Sequence, residues 1–167
     1  MLTDNIVLIG MPGAGKSTVG RALAKQLGYA FRDTDDDLVS KAHMSLQEIM
    51  DSKGEDFFRA LEQSVLLELS ATHSVIATGG SVVYSQRGME HLQDLGTLIY
   101  LDVPLDILKA RVARDGPRGI TRGPNQSYED VYALRTPIYK RWAAITLKCE
   151  QASESPSQIA DRIVRML

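Results

Sequence analysis

This chain of 167 residues has only one cysteine. It has no apolar run long enough to span a membrane. A single cysteine, Cys149, cannot form an internal disulfide, and we interpret it as a small buried hydrophobic residue in a strand. Residues 1–5 lack the charged start of a secretory signal peptide. These absences predict a cytoplasmic protein that has no membrane partner.

An excess of charge of either sign is also missing. The 19 Lys and Arg residues nearly balance 21 Asp and Glu residues, for a net charge of −2. No basic field is available to attract phosphates over a wide surface, so we expect no nucleic-acid partner. The length predicts one domain over 1–167, large enough to bury roughly 70% of its unfolded surface without cross-links. We expect a monomer.

Short apolar runs alternate with helical patterns along the whole chain. This alternation predicts βαβ units around a parallel sheet, with no repeat or second domain. A helix is predicted over 127–144, kinked or interrupted at Pro137. Residues 114–126 hold three glycines, two prolines and three arginines, which is typical of a mobile loop. The predicted strands cover residues 6–9, 29–33, 74–78, 97–101 and 145–147.

Residues 10–18 read GMPGAGKST, which satisfies the phosphate-loop pattern G-x-x-x-x-G-K-[ST] between a buried strand and a helix. The glycines let backbone N–H groups turn around a phosphate at the positive end of the helix. Lys16 is expected to reach the β- and γ-phosphates, and Ser17 to offer its hydroxyl to Mg²⁺. The residues predicted to hold the nucleotide from this loop are Gly13, Ala14, Gly15, Lys16, Ser17 and Thr18.

Two carboxylates, Asp33 and Asp35, lie at the carboxyl end of the second predicted strand. Ligands of open α/β sheets bind beyond the carboxyl ends of the strands, so both side chains are expected to face the phosphate loop. Phosphoryl transfer needs a metal ion and an acceptor hydroxyl held in line with the γ-phosphate. We assign Asp33 to Mg²⁺, through water, and Asp35 to the acceptor hydroxyl as its orienter or base. Asp36 and Asp37 are interpreted as helix-terminal charges.

A second group of residues is suited to hold an anionic acceptor. Arg59 lies in a predicted helix, and Arg135 lies in another. Gly79 and Gly80 end the third strand and let the backbone approach a ligand closely. The two arginines beside this bare turn are predicted to clamp an anionic group of the substrate.

With these motifs in order, the chain resembles the shikimate kinase family. That family combines such a phosphate loop with D-T-D, G-E-x-x-F-R-x-x-E, a G-G-G turn, a lid arginine and R-x-P-x-Y. Here the corresponding segments are 10–18, 33–35, 54–62, 78–81, Arg118 and 135–139. The resemblance implies a three-layer α/β/α phosphate-loop kinase fold, with a five-stranded parallel sheet in the order 2-3-1-4-5 and a mobile lid. It also implies transfer of the γ-phosphoryl group of ATP to the 3-hydroxyl of shikimate.

The resemblance also assigns roles to individual residues. Arg118 would move with the lid at 114–126 toward ATP, and Arg111 would lie against the adenine. The helical segment at about 36–62 would help to bind the acceptor. The shikimate contacts implied by the family pattern are Asp35, Arg59, Gly80 and Arg135.

Two departures from the family pattern leave the acceptor open. The third glycine of the turn is Ser81, and the lid begins R-G-I-T-R at 118–122. One alternative is a sister kinase acting on another small hydroxy acid, such as gluconate. A second is a regulatory nucleotide switch, for which residues 51–54 spell D-x-x-G although no N-K-x-D follows.

Overall fold

Five parallel strands form one sheet in a computed structural model that describes residues 5–116, 120 and 125–167. The order is β2-β3-β1-β4-β5, which confirms the predicted topology. Every predicted strand is present. The bounds are β1 Ile6–Ile9, β2 Ala30–Asp33, β3 Ser74–Ala77, β4 Thr97–Asp102 and β5 Ile145–Lys148.

Helices connect the strands and complete the three-layer α/β/α fold. The described residues form eight α-helices and one 3-10 helix, Gly80–Tyr84, which follows β3. The α-helices are α1 Lys16–Leu27, α2 Thr34–Ala42, α3 Leu46–Lys53, α4 Glu55–Glu68, α5 Gln86–Leu95, α6 Leu105–Asp115, α7 Tyr128–Trp142 and α8 Pro156–Val164. None of these described helices combines the length and apolar character needed to cross a membrane.

The central strand β1 is buried along its whole length because it lies between β3 and β4 and is covered on both faces. Its continuous apolar sequence suits that position. Leu8 lies opposite Ala77 of β3, and Ala77 lies opposite Asp33 of β2. This register brings the carboxyl ends of the three strands to one edge, where the phosphate loop, Asp33 and the glycine turn meet.

A second, smaller core supports the segment that was predicted to bind the acceptor. Leu38 of α2, Ile49 of α3, and Phe58 and Val65 of α4 form a buried apolar cluster. The main core surrounds the sheet, and there α1 packs against α8. The helices α2 to α4 therefore have an apolar anchor of their own beside the site.

Local predictions had mixed outcomes. Helix α7 runs through Pro137 as one helix from Tyr128 to Trp142, so the predicted interruption is absent. The turn after β3 continues as a 3-10 helix, which the sequence analysis did not predict. Cys149 is buried as expected but lies one residue beyond β5. Most of the predicted lid, including Arg118, lies outside the described residues.

Candidate active site

A cleft of about 670 Å³ lies at the edge where β1, β2 and β3 end. It is lined by the phosphate loop, by the start of α2 and by the turn after β3. The cleft therefore brings most of the predicted residues together. Those lining it are Gly13, Ala14, Gly15, Lys16, Ser17, Thr18, Asp35, Gly79, Gly80, Arg111 and Arg135.

The phosphate loop has the backbone shape that its glycines were expected to allow. Gly13 and Gly15 have φ angles of 88° and 92°, in the left-handed region that other residues rarely adopt. The Ala14 N–H donates to the Met11 carbonyl at 3.0 Å, which tightens the loop. Helix α1 begins at Lys16, so its first N–H groups and its positive end adjoin the loop. This arrangement is suited to bind an anion.

The Lys16 ammonium lies folded against this loop. Its Nζ donates to the carbonyls of Gly10 at 2.7 Å and Met11 at 2.8 Å. Burial lowers the pKa of Lys16 to about 8, and the nearby carboxylates of Asp35 and Asp33 act in the opposite direction. A phosphate bound in the loop would favour the charged ammonium further.

Ser17 and Asp33 form the first polar pair of the site. The Ser17 hydroxyl donates to Asp33 Oδ2 at 2.5 Å, although the two residues come from different βα units. The other Asp33 oxygen accepts the Asp35 N–H at 3.0 Å and caps α2. Asp33 does not itself line the cleft. Its carboxylate is nevertheless held next to the hydroxyl of the phosphate-loop serine.

Asp35 is half-buried and lines the cleft near two other charged groups, Asp33 and Lys16. Burial raises its pKa to about 6, helped by the neighbouring Asp33 carboxylate and opposed by Lys16. A Cβ atom at Gly79 would lie 3.0 Å from Asp35 Oδ1 and 2.9 Å from Glu62 Oε2. The missing side chain of Gly79 therefore leaves a narrow space that two carboxyl groups face.

Glu62 is a buried acidic residue that the sequence analysis did not assign to the site. The Ser81 hydroxyl donates to its Oε1 at 2.7 Å, whereas Oε2 is buried and has no hydrogen-bond partner within the described part of the chain. Burial raises the pKa of Glu62 to about 7, although the Ser81 hydrogen bond acts against this rise. The family motif at 54–62 contained this glutamate, but only the fold shows that Ser81 contacts it.

The two arginines occupy different environments. Arg135 is fully buried, and a Cβ atom at Gly80 would lie 2.9 Å from its Nη1, so this nitrogen faces the bare turn. Arg59 is partly exposed, does not line the cleft and donates to Glu55 at 2.5 Å. Both guanidinium groups nevertheless contact the ring of Tyr84, a residue that the sequence did not single out.

Arg111 of α6 contacts the loop backbone. Its Nη1 donates to the carbonyls of Gly13 and Ala14, at 3.2 Å each. The guanidinium therefore lies beside the region that would hold the nucleotide. The adenine contact inferred for Arg111 stays a prediction, as does the role of Arg118, which lies outside the described residues.

Two aromatic residues of α7 support the site from behind. Tyr128 donates to the Pro12 carbonyl at 2.5 Å, and Tyr139 donates to the Gly80 carbonyl at 2.6 Å. Together with Arg135, they give one helix contacts with both the phosphate loop and the glycine turn. Tyr139 is the last residue of the family motif at 135–139, whereas nothing in the sequence distinguished Tyr128 from an ordinary core residue.

Comparison with known proteins agrees with this geometry. The family model described as shikimate kinase matches residues 12–167. A shikimate kinase of Nostoc sp. is 40% identical over 166 residues, covering 98% of this chain and 90% of the relative. A shikimate kinase of Pseudomonas aeruginosa is 37% identical, covering 98% and 95%.

A solved structure, a shikimate kinase of Acinetobacter baumannii in complex with shikimate, superposes with a TM-score of 0.90. It is 34% identical, with 99% of this chain and 93% of the other covered. A deoxyadenosine kinase of M. mycoides, 16% identical with a TM-score of 0.61, shares the fold alone.

Proposed function

This chain belongs to the shikimate kinase family, and from that premise we propose that it phosphorylates the 3-hydroxyl of shikimate with ATP. The observation that carries the proposal is one cleft that joins a phosphate loop, the half-buried carboxylate Asp35 and the buried cation Arg135. The chain is an ATP-dependent small-molecule kinase, so the nucleotide-switch alternative is dropped. Residues 51–54, which spell D-x-x-G, lie at the junction of α3 and α4.

The phosphate loop and Lys16 would hold the triphosphate. Lys16 would exchange its contacts with the carbonyls of Gly10 and Met11 for oxygens of the β- and γ-phosphates. Its positive charge would then follow the charge that develops on the transferred group. The N–H groups at the start of α1 add fixed partial charges that need no reorganisation.

The residues around Ser17 fit a magnesium ion. A serine hydroxyl and a carboxylate held within 2.5 Å of each other provide the oxygen ligands that Mg²⁺ prefers, and the phosphates would supply others. No group of three or more His, Cys, Asp and Glu side chains suited to a metal is found in the described ranges. We therefore propose Ser17 as a direct ligand and Asp33 as a ligand through water. When bound, Mg²⁺ neutralises charge on the phosphates.

Asp35 would act on the acceptor. Its carboxylate would accept a hydrogen bond from the 3-hydroxyl and take the proton as the oxygen bonds to the γ-phosphorus and the bond to the β-phosphate oxygen breaks. A pKa of about 6 leaves Asp35 ionised at neutral pH yet far more basic than an exposed aspartate. That balance suits a general base.

Arg135 and Arg59 would bind the acceptor's carboxylate, with the backbone of Gly79 and Gly80 beneath its ring. Arg135 is already directed at Gly80, whereas Arg59 would approach from the partly exposed side of α4.

We also propose that residues 114–126 form the lid and that residues 36–62 help to bind the acceptor. We further propose that the protein is a cytoplasmic monomer.

The experiment that tests the function measures ADP release with MgATP and a panel of hydroxy acids. Shikimate should give the highest kcat/KM, and its methyl ester should be a poor substrate because the arginines lose a charged partner. Truncation of Arg59 or Arg135 to Ala should lower kcat/KM for shikimate about 10- to 150-fold. Preference for gluconate or another panel member would overturn the acceptor while leaving the kinase class intact.

A further inference from the structure

Tyr84 ends the 3-10 helix behind the cleft and contacts both arginines. The Arg59 guanidinium carbon lies 4.5 Å from the centre of its ring, and that of Arg135 lies 5.3 Å from it. The Tyr84 hydroxyl also accepts a hydrogen bond from Arg135 Nε at 3.4 Å. One half-buried side chain therefore joins two cations that come from α4 and α7.

Two guanidinium groups in one neighbourhood repel each other until an anion binds between them. The electron-rich face of an aromatic ring attracts such cations and reduces this cost. A guanidinium that packs against a ring keeps its in-plane N–H groups available for a carboxylate. In Arg135 the Nε N–H donates to the Tyr84 hydroxyl, whereas Nη1 faces Gly80 at the edge of the cleft.

The charges near the pair do not replace this contact. Glu55 accepts a hydrogen bond from Arg59 on the partly exposed side of α4. Glu62 is buried, and the charges of both arginines act on its carboxyl group. Its hydrogen bond, however, comes from the Ser81 hydroxyl. Tyr84 is a side chain that contacts both guanidinium groups at once.

We propose that Tyr84 is a positioning residue, which holds Arg59 and Arg135 in place to receive the carboxylate of the acceptor. This role rests on the proposed function, because the arginines need an acidic acceptor to bind. Tyr84 would strengthen binding of the acceptor and leave nucleotide binding and the rate of phosphoryl transfer unaffected. Its effect would pass through both arginines.

The test compares Tyr84→Leu with Tyr84→Phe in steady-state kinetics on shikimate and MgATP. Loss of the ring should raise KM for shikimate about 5- to 30-fold, with kcat and KM for ATP within about twofold of the original enzyme. Tyr84→Phe keeps the ring face and should stay within about threefold. Tyr84→Met is a second variant without a ring, whose flexible side chain fills the same space if the leucine variant does not fold.

Tyr29→Leu is the matched control, since Tyr29 is another half-buried tyrosine whose ring contacts His73 away from the arginines. In an Arg59→Ala background, Tyr84→Leu should lose most of its effect, because the two residues share one function. The role of Tyr84 would be overturned if Tyr84→Leu raised KM for shikimate no more than Tyr29→Leu does. It would also be overturned if Tyr84→Leu raised this KM by the same factor with and without Arg59. A native enzyme that ignores shikimate would instead overturn the proposed acceptor, so the two failures are distinguishable.

Discussion

At the scale of single residues, the site consists of ionisable groups whose burial moves their pKa values toward neutrality. The pKa of Lys16 falls to about 8, and those of Asp35 and Glu62 rise to about 6 and about 7. Desolvation is the largest cause in all three cases. Such pKa shifts concentrate at functional sites, because catalysis uses groups that exchange protons near neutral pH. Elsewhere in a protein, burying an ionisable group only lowers the stability of the fold.

Replacing Asp35 by Asn should mainly affect turnover. The amide keeps the shape but cannot accept the hydroxyl proton, so we expect kcat to fall about 10²- to 10⁴-fold. In the original enzyme, kcat/KM should decline below about pH 6 as Asp35 becomes protonated. The residual activity of Asp35→Asn should lack that decline. An identical acidic limb in both pH profiles would show that another group titrates there.

The same substitution should change stability with pH. Between about pH 4 and pH 6 the folded Asp35 binds a proton that the unfolded chain has lost, so the original protein loses stability as pH rises through this window. Asp35→Asn escapes that loss and should be more stable at pH 8, by at most roughly 3 kcal/mol. Urea unfolding at about pH 4.5 and pH 8 measures the difference.

The exposed Asp94 provides the control for this stability experiment. Asp94→Asn should change the free energy of unfolding by less than about 0.5 kcal/mol at either pH. If the stability gained by Asp35→Asn is the same at both pH values, the aspartate is not held in the folded state with a raised pKa.

At the scale of elements, α7 is the helix that contacts both halves of the cleft. Tyr128 and Tyr139 lie eleven residues apart in sequence, which is close to three helical turns, and Arg135 lies between them. Their hydroxyls bind the loop before α1 and the turn after β3. The position of α7 therefore affects the nucleotide side and the acceptor side together.

Two conservative substitutions on α7 should separate these sides. Tyr139→Phe removes the hydrogen bond to Gly80 but keeps the ring that stacks on Tyr100, and it should raise KM for the acceptor about 5- to 100-fold. Tyr128→Phe removes the hydrogen bond to Pro12 and should raise KM for ATP by a similar factor. Each variant serves as the control for the other in steady-state kinetics. The opposite pattern, or equal effects on both substrates, would contradict this division.

A prediction for the lid depends on the sequence alone. Lid residues complete a site only on closure, so Arg118→Ala should lower kcat more than it weakens nucleotide binding measured without acceptor. Arg122→Ala is the matched control in the same segment and should be nearly silent. If Arg122→Ala is the damaging change and Arg118→Ala is not, the alignment of this segment with the family pattern is wrong.

At the scale of the whole molecule, nucleotide binding should stabilise the fold because the loop lies between the buried β1 and the first turn of α1. A ligand at about 100 times its Kd adds about 2.7 kcal/mol, which raises the Tm of a chain this size by roughly 5–10 °C. Thermal unfolding with MgADP measures this shift. Lys16→Met should keep the fold but show a much smaller shift, and it should lose about 10³- to 10⁵-fold in transfer rate. Equal Tm shifts in the original protein and in Lys16→Met would contradict the assignment of Lys16 to the nucleotide site.

The sequence by itself determined the features that depend on local pattern. Strand β1 is a continuous apolar run and β4 contains one at 98–101, and the phosphate loop needs glycine at 13 and 15 because the φ angles there are positive. Alternation of strands and helices indicated the parallel sheet, and the family resemblance supplied the strand order. Asp33 and Asp35 could be placed at the edge of the sheet because parallel strands share one carboxyl end.

Only the tertiary structure decided which distant side chains meet. Ser81 binds Glu62 from 19 positions away, and Tyr84 contacts Arg135 from 51 positions away. Burial, which moves the pKa values of the site, also depends on the whole packed molecule. Helix α7 continues through Pro137, with buried residues on both sides of the proline. Local pattern cannot encode such contacts, since they depend on the angles at which separate elements pack.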